Sequence, residues 1–232
     1  MLTSFIRLLL VFTISANVFS QENTITSDSI EYKQKYGLRV GMDINKLVNS
    51  SLNNNYNGIE LNADYRLNNK LYIAAEIGFS ENNVIEEYLD FTSKGNYLKA
   101  GIDYNMYNNW LSMQNMIFSG IRIGYSKFDQ NINSYTIYDT NNQTWGQSFI
   151  NIPIKNTNLS SLWIELILGV KAELFNNLFL GFNLEVKKMI NSEIKNNIQN
   201  LYVPGFNKTH EGSSFGVGFG YKISYLIPIR KK

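Results

Sequence analysis

A hydrophobic period of two, sustained over eight separate segments, is the feature that most restricts what this chain can become. The segments are Leu38–Ile44, Ile59–Arg66, Leu71–Phe79, Leu98–Asn105, Ile117–Tyr125, Leu162–Leu174, Leu178–Lys187 and Phe215–Tyr225. In Leu98–Asn105, for example, Leu98, Ala100, Ile102 and Tyr104 alternate with Lys99, Gly101, Asp103 and Asn105. Successive strand side chains point to opposite faces, so each segment has one apolar and one charged, glycine-rich face. Runs of this length, alternating and separated by turn residues, are the sequence signature of a transmembrane β-barrel. The expected fold is all-β: an eight-stranded antiparallel up-and-down transmembrane β-barrel of the outer-membrane type.

The connections alternate in length. Asn68-Asn69-Lys70 and Phe175-Asn176-Asn177 are tight, and asparagine tolerates the left-handed backbone that such turns need. Met106 to Met116 is intermediate. The stretches 45–57, 81–95, 129–160 and 191–213 are long and are expected as loops facing outside the cell, with no helix anywhere in the chain.

Alternation alone does not say which face points inward; a soluble ligand-carrying barrel would turn the apolar face in. The polar face holds nearly balanced charge: Arg39, Arg66, Lys99, Arg122, Lys171, Lys187 and Lys222 against Asp43, Glu60, Asp64, Glu76, Asp103, Glu165, Glu173 and Glu185. Such a set pairs with itself inside a narrow lumen. Ten glycines, among them Gly78, Gly124 and Gly218, share that face and are expected to make room for the long charged chains. Aromatic residues gather at segment ends: Tyr65, Tyr104, Tyr107, Trp110 and Tyr225 at the short turns, and Phe79, Tyr97, Tyr125, Trp163 and Phe215 at the long loops. Two such girdles suit the two lipid–water boundaries. All three observations favour the apolar face outward.

Met1 to Ser20 has the layout of a cleaved secretory signal. Arg7 precedes the apolar run Leu8–Ile14, and Val18 and Ser20 are small residues at the cleavage positions. The expected organisation is a signal peptide over 1–20, an exposed polar segment over 21–36 and a barrel domain over 37–232. The location expected is the bacterial outer membrane, with insertion by the barrel-assembly machinery.

Composition removes several chemistries. Cysteine is absent and there is a single histidine, so thiol catalysis, disulfides and multi-histidine metal sites are excluded. A net charge of +2 with 17% charged residues offers no nucleic-acid footprint. His210 lies beside Glu211, Ser213 and Ser214, but no GxSxG motif accompanies them. Gly216, Gly218 and Gly220 lie within a strand pattern rather than before a helix, so they are not a phosphate cradle. Tyr135, Tyr138, Trp145 and Phe149 in the third long stretch are candidates for binding a partner, because aromatic residues on loops anchor interfaces.

Leu61–Gly78, Tyr97–Trp110, Gly169–Phe182 and Leu201–Pro228 resemble a family of small outer-membrane β-barrel proteins of Bacteroidetes-type bacteria that carries no assigned activity. The resemblance implies barrel fold and envelope location, and supplies no catalytic or binding residues. The C-terminus departs from the usual outer-membrane ending: Leu226-Ile227-Pro228-Ile229-Arg230-Lys231-Lys232 follows Tyr225.

The sequence therefore points to a non-enzymatic integral membrane barrel with no cofactor and no metal. Its partners would be outer-membrane lipid and an extracellular protein or polysaccharide met by the long loops. A narrow channel for small solutes is the alternative, and a membrane-embedded hydrolase or acyltransferase is the third reading.

Overall fold

A computed structural model describes residues 35–107, 114–137, 148–210 and 212–231. Eight long strands carry the fold: β1 (Lys35–Asp43), β2 (Tyr56–Arg66), β3 (Leu71–Glu86), β4 (Leu89–Asn105), β5 (Met116–Ile137), β6 (Ile154–Phe175), β7 (Leu178–Ser192) and β8 (Phe215–Lys231). Each pairs antiparallel with the next in the chain, and β1 pairs with β8, which closes the ring. The protein is an eight-stranded antiparallel up-and-down barrel of the outer-membrane type. Closure leaves the ring no free edge, so the backbone groups of the wall are satisfied within it.

The short turns form as asparagine chemistry dictates. The Asn68 side chain accepts the backbone N–H groups of Lys70 and Leu71 at 2.9 and 2.8 Å. Asn177 takes φ +68° in the turn between β6 and β7.

The apolar residues face out. Ile77, Leu98, Ile123, Leu168 and Val186 are each about half exposed, whereas Lys99, Glu165 and Asp103 are buried. A soluble barrel with an apolar interior is thereby excluded. β5 and β6 have 22 residues each, about twice what a tilted strand needs to span a bilayer. Their upper halves, with those of β3 and β4, form a wall beyond the apolar belt.

Four expectations need correction. The stretch 45–57 is not simply a loop: Ile44–Leu52 forms helix α1, N-capped by the Asp43 carboxylate, which accepts the Lys46 N–H at 3.2 Å. The cap was hidden because Ile44 also continues the period-two pattern of β1. The stretch 81–95 is mostly strand, since the β3–β4 hairpin pairs as far as Glu86 with Leu89. The stretch 129–160 is likewise shortened by β5 and β6 and holds a three-residue strand, Ser148–Ile150, on Tyr135–Ile137. Finally, Tyr97 and Trp163 do not join an outer girdle: both lie inside the barrel, 2% and 0% exposed. They occupy polar-face positions of β4 and β6, and the alternation outranks their affinity for a boundary. Trp110 lies outside the described residues. β1 starts at Lys35, two residues before the expected edge of the barrel domain.

Candidate functional site: the barrel interior and its external cap

The lumen charges arise directly from the alternation: every strand delivers at least one charged residue inward. They assemble into two storeys. Nearer the short turns, the Asp64 carboxylate on β2 lies 2.7 Å from Arg39 Nε on β1 and 2.7 Å from Lys171 Nζ on β6. Asp103 on β4 holds Arg122 Nη1 on β5 at 2.8 Å, with Lys171 Nζ at 3.8 Å. The Arg39 guanidinium is sandwiched 5.1 Å from the Tyr72 ring and 5.0 Å from the Phe179 ring. Cation–π contacts of this kind strengthen when water is excluded.

Nearer the long connections, four glutamates meet four lysines. Lys99 Nζ is the hub, 3.3 Å from Glu76, 3.3 Å from Glu165, 3.7 Å from Glu185 and 3.8 Å from Glu60. Lys222 adds contacts to Glu76 at 2.6 Å and Glu60 at 3.5 Å. Lys187 lies 2.9 Å from Glu185 and 3.7 Å from Glu165. The fourth cation, Lys46, reaches in from α1 to Glu60 at 2.6 Å. Neutral donors complete the shell: Trp163 Nε1 to Glu165 at 2.6 Å, the Tyr97 hydroxyl to Glu60 at 2.7 Å and Asn183 Nδ2 to Glu185 at 2.7 Å. Balanced charge with added hydrogen bonds is the condition under which buried ions are tolerated.

The remaining inward charges serve the ends. Asp43 caps α1. Arg66 donates to the Asn68 carbonyl at 3.1 Å and lies 4.9 Å from the Tyr36 ring. Glu173 is half-buried and accepts the Gln114 and Asn177 N–H groups at 2.8 and 3.0 Å. Between the storeys lies a cavity of about 20 Å³ bordered by Asn62, Asp64, Glu76, Asp103, Arg122 and Lys171. That volume accommodates about one water molecule.

Above the charges is an apolar layer absent from the sequence reading. Tyr97, Phe128, Leu159 and Trp163 from the wall meet Val203 and Phe206 from the connection between β7 and β8. That connection, expected to extend outside the cell, instead folds into the mouth of the barrel. Gly205, at φ +83°, turns the chain there, and its carbonyl accepts Lys187 Nζ at 2.7 Å. Ser93 Oγ donates to the Tyr202 carbonyl at 2.8 Å, and Gln130 accepts the Leu201 N–H at 2.7 Å. Phe206 meets Trp163 edge to face at 6.0 Å. The one available signal was the hydrophobic cluster Leu201-Tyr202-Val203 followed by Pro204-Gly205-Phe206, too apolar for an exposed loop.

The loop aromatics divide. Tyr135 packs toward the interior, beside Phe91, Ile132 and Tyr202. Phe149 is 62% exposed. Tyr138 and Trp145 lie outside the described residues. His210 and Ser213 meet through their backbones, while Ser213 Oγ accepts the Phe215 N–H at 3.2 Å; Glu211 lies outside the described residues.

A family model described as a domain of unknown function, DUF6048, matches residues 1–232. No curated protein matches the chain. Among solved structures, the chain is similar to Ail, the attachment invasion locus protein of Yersinia pestis. The identity is 10% and the TM-score 0.42, over 84% of this chain and 98% of that one. It is also similar to Neisserial surface protein A, with 11% identity and a TM-score of 0.38, over 83% of this chain and 95% of that one.

Proposed function

We propose that this chain, which belongs to the DUF6048 family, is an integral outer-membrane protein that works through its external surface and conducts no solute. In this reading residues 1–20 are removed on export and the apolar belt sits in the outer membrane. The observation that carries it is the projecting wall of β3 to β6. The wall presents Ile85, Tyr88, Ile137 and Phe149 to solvent at 47–70% exposure, well beyond the belt. Exposed apolar residues grouped at a tip are a frequent mark of a contact surface. An extracellular protein or polysaccharide is the class of partner such a tip fits.

The filled lumen supports the same reading. Eight strands enclose an interior only wide enough for side chains. Here two layers of paired charge and one apolar layer occupy it. The experiment is twofold. The purified chain in a planar bilayer should give no steady conductance steps. Cells carrying Ile85→Ser, Tyr88→Ser and Phe149→Ser together should lose adhesion to host-cell or polysaccharide-coated surfaces while keeping the barrel. Open ion-selective steps, or adhesion unchanged by the triple substitution, would overturn the proposal.

A further inference from the structure

The outer wall carries a second feature that neither the lumen nor the tip explains. On the β3–β6 side the belt ends in a cross-strand row of Ile77, Leu98, Tyr125 and Leu162. The next outward row is Phe79, Asn96, Lys127 and Ser160. Its single charge is the ammonium of Lys127. In the row above, Lys94 stands between Glu81 and Asp129.

Both lysines are exposed, and neither takes part in an ion pair or hydrogen bond with a described residue. Asp129 is committed elsewhere: its carboxylate accepts the Asn158 N–H at 2.8 Å. Asn158 stands at φ +53°, where β6 carries an extra residue, Thr157 and Asn158 facing the single Asp129 of β5. Beside this irregularity the wall holds a concavity of about 340 Å³ bordered by Glu81, Lys94, Asn96, Lys127, Asp129 and Asn158, the two carboxylates lying in the row farther from the belt.

We propose that this concavity binds the phosphate of an anionic lipid headgroup in the leaflet facing the long connections. The proposal rests on the membrane reading above, because only then do acyl chains lie along Ile77, Leu98 and Tyr125. Three features match that ligand. The row nearest the belt, where a headgroup phosphate sits, is positive and contains no acid. Lys94 is the diagonal neighbour of Lys127, so two ammonium groups reach one phosphate, about 7–8 Å apart at their stems. The Asn96 and Asn158 amides add neutral donors for phosphate oxygens or sugar hydroxyls. Lysines held at a membrane surface contribute about fivefold each to anionic-lipid affinity.

The test uses the full chain refolded in detergent and titrated with a bis-phosphorylated glycolipid, read by native mass spectrometry. The double variant Lys94→Gln/Lys127→Gln should bind it about thirtyfold more weakly. Lys94→Arg/Lys127→Arg and the off-site control Lys155→Gln should bind as the parent does. The dephosphorylated glycolipid should bind the parent no better than it binds the double variant. Equal binding of the phosphorylated lipid by parent and double variant overturns the site. Displacement by millimolar inorganic phosphate overturns the lipid assignment in favour of free phosphate. Flotation with phosphatidylcholine vesicles is read alongside. A chain that does not float refutes the membrane reading and the site with it. A chain that floats but binds without regard to the lysines refutes the site alone.

Discussion

Replacing Lys99 with Met should expose how the upper storey is balanced. The ammonium of Lys99 lies within 3.3–3.8 Å of four glutamates, and all five side chains are at most 7% exposed. Methionine fills a similar volume, so the change removes charge rather than packing. Three lysines then face four carboxylates. Removing one partner of a buried ion pair costs about 3–5 kcal/mol. The barrel has one relief: it can take up a proton on one glutamate. At pH 7, protonating a carboxyl of ordinary acidity, near 4.3, costs about 3.7 kcal/mol, which sets a ceiling on the loss. At pH 5 the same proton costs only about 1 kcal/mol.

The sign follows. The folded variant binds one proton more than the unfolded chain near neutral pH, so its stability rises on acidification. The parent, whose four glutamates in this storey are all ion-paired, changes little over the same range, because the unfolded carboxyls take up protons only as the pH approaches about 4.3. Relative to the parent, Lys99→Met should therefore be about 3–4 kcal/mol less stable at pH 7 and should recover most of that by pH 5. Adding Glu165→Gln should restore stability at pH 7 without acid, since the amide oxygen still accepts Trp163 Nε1–H. Urea unfolding in vesicles, followed by Trp fluorescence and by the mobility difference between heated and unheated samples on gels, measures each value. A Lys99→Met barrel as stable as the parent at pH 7, or one that acid does not rescue, would mean that the storey is hydrated and its charges screened. The argument from mutual burial would then fail.

Three further outcomes follow from the same structure. Leu166 faces out at 47% exposure while its neighbour Ile167 is 2% exposed; Leu166→Arg should cost about 2–4 kcal/mol in a bilayer, and the same unfolding assay would show if position 166 tolerates the charge. A Cβ on Gly124 would stand 2.2 Å from Trp163 Cε2, so Gly124→Ala should cost about 1–3 kcal/mol and be relieved by Trp163→Leu; an unrelieved loss would point to backbone strain rather than to the indole. A protease site inserted between Glu87 and Tyr88, both exposed, should be cut in whole cells, whereas one between Tyr202 and Val203, both buried, should resist until the cap is loosened by Phe206→Ala; the reverse pattern would invert the topology or free the cap.

Legibility in the sequence depended on range. Strands, faces and tight turns rest on contacts within a few residues, so period-two alternation and the Asn68 and Asn177 turns revealed them. Glycines on the inner face were legible as a set, and their expected purpose holds for some: a Cβ on Gly120 would meet Asp103 and Arg122, and one on Gly218 would meet Glu185 and Lys187. Gly78, Gly124, Gly169 and Gly216 leave room for the Tyr97, Trp163, Phe118 and Phe206 rings, not for charged chains. The projecting strands were underestimated because polar outward residues above the belt, such as Asn131 and Asn133, blur the alternation that marks the span.

Which residues share a face was therefore decided by the sequence alone, because alternation on a pleated strand leaves no other choice; that the charged face is the inner one is shown by its burial in the closed ring. Which of them meet was decided only by closure of the ring. Arg39 pairs with Asp64 directly across β1 and β2, as register requires. Arg122 stands opposite Glu165 yet binds Asp103, and Lys222 stands opposite Asp43 yet binds Glu76 on β3. The Arg122–Asp103 contact is a diagonal between adjacent strands, but the Lys222–Glu76 contact runs across the lumen between strands far apart in the chain and exists only once eight tilted strands have fixed its width and stagger. The external cap depends on the same event. Val203 and Phe206 have nowhere to bury until Tyr97, Phe128, Leu159 and Trp163 have been brought round into one mouth, so an apolar cluster that reads locally as a loop becomes the lid of a closed barrel.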